Sequence, residues 1–95
     1  MSLTPQQRLI KWARWFEIPQ FSHIDKDNPY GWLESYHSRA SEDEQLVIDF
    51  LLGVWGDQLQ YLQDFNIREA WAVWNQAQKS GFKKTLADID KQSFP

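Results

Sequence analysis

The chain contains no cysteine among its 95 residues. Disulfides, thiolate nucleophiles and zinc–thiolate sites are therefore excluded, and a reducing, cytoplasmic setting is the expectation. Glycine and proline are sparse, at four each, and the glycines are scattered, so no Gly-rich phosphate loop can be assembled. Long apolar runs are missing too. The longest, Leu46 to Trp55, is broken by Asp49 and Gly53, and is about half the length that spans a bilayer. The opening Met-Ser-Leu-Thr-Pro has neither the basic nor the apolar region of a leader. A soluble protein without a membrane segment is expected. No stretch alternates apolar and polar residues, and neither Asn-Gly nor Asp-Gly occurs, so strands and hairpins are not expected.

Aromatic residues are abundant: six Trp, six Phe and three Tyr. They supply the large buried areas that disordered chains lack, so the polar composition does not signal disorder. The size fits one modest core, and residues 1–95 are read as a single all-α domain, a compact bundle of four to six helices.

Local signals place the helices. Thr4-Pro5-Gln6-Gln7 combines a cap, a first-turn proline and a returning Gln. Leu9, Trp12, Ala13 and Phe16 follow at helical spacing, and Pro19 sets the latest end; a helix over 5–17 is predicted. Residues 18–28 read as loop. Asn28-Pro29 starts a short helix with Trp32, Leu33 and Tyr36 on one face, ending near Ser38. Ser41-Glu42-Asp43-Glu44 is a capping box with three acids where the helix dipole favours them. It opens a central helix over 42–55, expected to be buried against helices 5–17 and 67–80. A further helical piece is predicted over 58–64. Asn66 is the expected cap of the 67–80 helix, Gly81 its left-handed C-terminal cap, and Thr85 the cap of a last short helix.

Chemistry-bearing patterns are weak. An EF-hand register from Asp25 puts Pro29, Tyr30 and Tyr36 where a ligand, glycine and glutamate are required. Glu34 and His37 form one Glu-x-x-His pair, whereas di-iron bundles use two; a local surface contact is expected. No Gly-x-Ser-x-Gly elbow occurs. Catalytic, cofactor-binding and metal-binding residues are therefore not assigned, and a non-enzymatic role is expected. Asp49 shares a helical line with Gln45, Gly53 and Gly56. A solvent-facing polar line is the simpler reading, and a small-residue groove approaching an acid is the alternative.

Charge is segregated. The formal net charge is -3, and residues 41–66 hold six acids (Glu42, Asp43, Glu44, Asp49, Asp57, Asp64) and no base. Among the tryptophans, Trp12, Trp55, Trp71 and Trp74 fit core positions, whereas Trp15 lies off its stripe and Trp32 sits on a weak helix. The leading expectation is a small intracellular protein-interaction module, either binding a protein partner or self-associating. Trp15, Trp32, Asp49, Asp57 and Asp64 are its candidate contact residues, with acidic steering of a basic partner. The alternative is a helix-turn-helix-like nucleic-acid binder using segment 58–84. Arg68, Asn75, Gln78, Lys79, Lys83 and Lys84 would then contact the duplex. The missing basic face argues against nucleic acid.

Overall fold

The structure, a computed structural model, describes residues 4–55, 63 and 65–93. Among these residues are five α-helices and one short 3₁₀ helix, and no strand. Helix α1 spans Pro5–Arg14. Its capping box forms as predicted: Gln7 N donates to Thr4 Oγ1 (3.1 Å) and Thr4 N donates to Gln7 Oε1 (3.0 Å). Leu9, Trp12 and Ala13 make its buried face.

The helix stops three residues short of the predicted end. The amides of Trp15, Phe16 and Glu17 turn inward to the carbonyls three residues back, and Glu17 adopts a left-handed φ of 53°. That conformation costs a non-glycine residue about 1 kcal/mol, and the reversal brings Phe16 and Ile18 into the core, at 0% and 6% exposure. The segment read as loop then forms the 3₁₀ helix Pro19–His23, which buries Phe21.

Helix α2, Pro29–His37, starts at the Asn28 cap, whose Oδ1 accepts from Gly31 N (3.1 Å). Helix α3, Glu42–Trp55, is the central element. Every residue from Leu46 to Gly53 is buried, which requires neighbours on more than one side. It packs against α1, α2 and α4 (Ile67–Val73). Asn66 caps α4, its Oδ1 accepting from Arg68 N and Glu69 N at 3.0 and 3.2 Å.

The single helix predicted over 67–80 is interrupted. Trp74 is extended (ψ 142°), and a new helix, α5, runs over Gln76–Ser93. Asn75 and Gln78 cap it reciprocally: Gln78 N donates to Asn75 Oδ1 (2.8 Å) and Asn75 N donates to Gln78 Oε1 (2.9 Å). Gly81 and Thr85, predicted as helix boundaries, both lie inside α5. No described glycine has positive φ. Gly81 serves close approach instead, since a Cβ there would sit 2.6 Å from the Trp15 carbonyl oxygen and 2.8 Å from Phe16 N. The buried Thr85 hydroxyl donates to the Gly81 carbonyl (2.8 Å). The predicted helical piece over 58–64 lies outside the described residues, apart from Gln63.

One aromatic cluster joins these elements. Phe16, Phe50, Phe65, Trp74 and Phe82 meet with ring centroids 4.6–6.4 Å apart, within the range of favourable offset and edge contacts.

Candidate interaction site

The fate of each indole N–H separates the tryptophans. Trp12 donates to Asp88 Oδ2 (2.7 Å), Trp55 to the Pro5 carbonyl (2.7 Å) and Trp74 to the Asp43 carbonyl (2.9 Å). These bonds tie α1 to α5, α3 to α1, and α4 to α3, so the three rings are structural. Trp15, Trp32 and Trp71 are partly buried, and none donates its indole N–H to a described residue.

Trp32 is a partly exposed aromatic residue on α2. Its ring stacks on Tyr36 (centroids 5.0 Å, interplanar 18°) and meets Phe21 edge-on at 6.2 Å. The Arg39 guanidinium lies 5.6 Å from the Tyr36 ring centre. Tyr36 is held by a bond from its hydroxyl to Glu44 Oε1 (3.0 Å). Burial, then the Glu44 hydrogen bond and charge, raise its phenol above the ordinary value, with Arg39 opposing. Tyr36 therefore stays a protonated donor, and Trp32 rests on a fixed ring. Trp15 sits differently. The Lys11 ammonium lies 5.1 Å from its ring centre, and its carbonyl is packed on Gly81.

Asp49 does not face solvent. It is 7% exposed, and its Oδ1 lies 2.9 Å from His37 Nε2. Gln45 Nε2 donates to the His37 carbonyl (3.0 Å). The polar line on α3 is thus covered by α2, whose His37 meets the buried acid. This pairing positions the His37 ring. Asp49 is correspondingly withdrawn from any partner contact. The missed signal was an acid inside an apolar run with a histidine on the adjacent helix.

The acidic stretch is not a continuous face either. Asp43 Oδ2 accepts from Gln78 Nε2 (2.8 Å), and Asp43 Oδ1 from the Ser41 hydroxyl (2.5 Å). Burial by itself would raise the Asp43 carboxyl. The bonds from Gln78, Ser41 and the backbone amides of Asp43 and Glu44 outweigh it and hold the group below its ordinary value. Glu44 serves Tyr36 and the Ser41 amide. Glu42 stands against Glu69, and a hydrogen bond between their carboxyls, with the repulsion of the Glu69 charge, raises Glu42. Asp57 and Asp64 lie outside the described residues.

The nucleic-acid alternative loses its central residues. Gln78 is 3% exposed and spent on Asp43 and the Asn75 amide. Asn75 is spent as a cap, and the Lys79 ammonium lies 5.8 Å from the Trp71 ring centre. Arg68, Lys83 and Lys84 remain exposed, but a recognition helix over 67–80 does not exist, because the chain breaks at Trp74.

Two surface grooves complete the site. The larger, about 720 Å³, lies along α1 and includes Gln6, Ile10, Lys11, Arg14, Lys26 and Asp27. The smaller, about 470 Å³, includes Arg14, Glu17, Ile18, Pro19, Phe21 and Ser22. Arg14 lines both, and Phe21 is the ring beneath Trp32. Neither groove is lined by His37, Asp49 or Glu34. Among the described residues no group of three metal-ligating side chains occurs, and no helix is long and apolar enough to cross a membrane. Comparison with protein-family models, curated proteins and solved structures finds no match to the chain.

Proposed function

We propose that this chain is a small intracellular protein-interaction module whose contact face is the aromatic surface of α2, centred on Trp32. The observation that carries the reading is the Trp32–Tyr36 stack, with Arg39 beside it and Phe21 beneath. Trp, Tyr and Arg are the residue types that dominate binding hot spots, where they fill desolvated contacts. Trp32 donates no indole hydrogen bond to a described residue, unlike Trp12, Trp55 and Trp74, and it is only partly buried, which supports a partner-contact role for its ring. Lack of cysteine suits a reducing compartment. The partner is a second protein or a second copy of this chain, and the role is binding, not catalysis.

The test compares wild type with Trp32→Ala. Light scattering after size exclusion gives the mass, and affinity capture from a lysate gives the partner. Circular dichroism confirms that the variant folds. The substitution should weaken the association by about 30-fold, the effect of a hot spot of about 2 kcal/mol. A strictly monomeric wild type that captures nothing sinks the reading, as does capture that survives the substitution unchanged.

A further inference from the structure

We infer that the α1 groove receives an acidic peptide segment of a partner protein, with the apolar groove beside it taking a flanking aromatic or aliphatic side chain. This rests on the reading of the chain as an interaction module, and it assigns the partner a charge opposite to the one the acidic composition suggests.

The charge argument starts from α1. It carries Arg8, Lys11 and Arg14 and no acid, in a chain of net charge -3. Lys11 and Arg14 in its last turn complement the helix dipole, which accounts for them individually. It does not account for Lys26, which comes from a separate loop and lines the same groove. That loop is built, not loose: Asp27 N donates to Asp25 Oδ1 (2.9 Å) and Asn28 N donates to the Asp25 carbonyl (3.2 Å).

The groove's cations are also largely uncompensated. Lys11 lies 3.4 Å from Asp88. Arg14 and Lys26 are exposed and have no ion-pair partner among the described residues, and Asp27 is the one acid among the described residues lining this groove. Ile10 is partly buried beside them, an aliphatic contact within a cationic rim. Arg14 then joins this groove to the one lined by Ile18, Pro19 and Phe21, with Glu17 and Ser22 at its edge. Among the described lining residues the first groove has three cations to one acid, and the second pairs an apolar stretch with Glu17, so the complement is carboxylates in the first groove followed by one uncharged apolar side chain in the second. Meanwhile Asp43, Glu44 and Asp49 are occupied by internal bonds, which leaves Glu42 as the exposed acid among the described residues of the 41–66 segment.

The test uses the full chain and two fluorescein-labelled probe peptides of equal length. One is a run of glutamates ending in phenylalanine, and the other replaces every glutamate with lysine. Anisotropy titrations are run at low and high salt, and amide chemical shifts map the contact. The glutamate peptide should bind, its affinity should fall with salt, and its shifts should fall at Ile10, Lys11, Arg14 and Lys26. Arg14→Glu with Lys26→Glu, both exposed and checked by circular dichroism, should weaken binding by about tenfold or more. Equal binding of the lysine peptide, or an unchanged affinity in the double variant, overturns the inference. So does a dimer that the double variant dissolves, since a second copy then occupies the groove. If the glutamate peptide fails to bind while Trp32-dependent capture persists, the groove assignment falls and the interaction module stands. If peptide binding persists while capture by the Trp32 face fails, the groove assignment stands alone.

Discussion

At the scale of single residues, Asp43 shows how one carboxylate can organise a junction. It accepts from Gln78 on α5 and from Ser41 ahead of α3, and its own carbonyl accepts from the Trp74 indole. Its carboxyl is held below the ordinary value of 3.8, so the charged form is favoured in the folded state. Such a group stabilises the fold above its unfolded value, and the contribution is lost as pH falls through the lower folded value. Asp43→Asn keeps an acceptor and removes the charge. The variant should be less stable than wild type at neutral pH by about 1 kcal/mol, the difference between a charge-assisted and a neutral hydrogen bond. The gap should close below about pH 4, as wild type protonates. Urea denaturation at several pH values measures both, and a gap that does not vary with pH removes the assigned role. The capping-box pattern marked Asp43 as a first-turn acid, and nothing local marked its partners on α5 and at Trp74. Gln78 lies 35 positions away, and its side-chain type suits a DNA base edge as well as a buried carboxylate. His37 and Asp49 pair across 12 positions for the same reason. Local periodicity identifies a polar position on a helix; it does not show whether water or another helix covers it.

At the scale of elements, the first caps of three helices were legible, whereas interruptions and the Gly81 and Thr85 boundaries were not. Thr4, Asn28 and Asn66 each cap the helix that their sequence context implied, because a cap is decided within four residues. The break at Trp74-Asn75 is decided elsewhere. Trp74 must reach both the Asp43 carbonyl and the aromatic cluster, and the extended residue lets α4 and α5 diverge. Gly81 was misread for a related reason: a glycine between helical patterns resembles a C-cap, yet here it admits the turn that ends α1. Gly81→Ala separates the two explanations. In an open helix the substitution would stabilise by up to about 1 kcal/mol through helix propensity. Here the added methyl meets backbone atoms at 2.6 and 2.8 Å, which no side-chain rotation relieves. Overpacking of this kind costs about 1–3 kcal/mol, so the net effect should be destabilising. A raised melting temperature would show that α5 does not contact the α1 turn as described.

At the scale of the whole molecule, the aromatic residues divide into a shielded set and a wet set, and charge distinguishes them further. Trp12 and Trp74 are each 4% exposed. Trp15 and Trp71 are partly buried and lie 5.1 and 5.8 Å from the ammonium groups of Lys11 and Lys79. Net charge and local charge then make opposite demands on an ionic quencher. A molecule of charge -3 attracts caesium and repels iodide if the whole-molecule field dominates. Local cations within a Debye length of about 8 Å of the wet rings favour iodide instead. The short distances decide the matter, so iodide should quench the accessible fluorescence more strongly than caesium, and added neutral salt should shrink the difference. Trp15→Phe and Trp71→Phe should each reduce the iodide advantage. Trp12→Phe should leave the iodide advantage unchanged provided the fold survives, which far-ultraviolet circular dichroism reports. Caesium quenching equal to or stronger than iodide quenching would mean that the global field governs this surface. The cationic rim on α1 would then lack the local potential needed to draw an acidic segment into its groove.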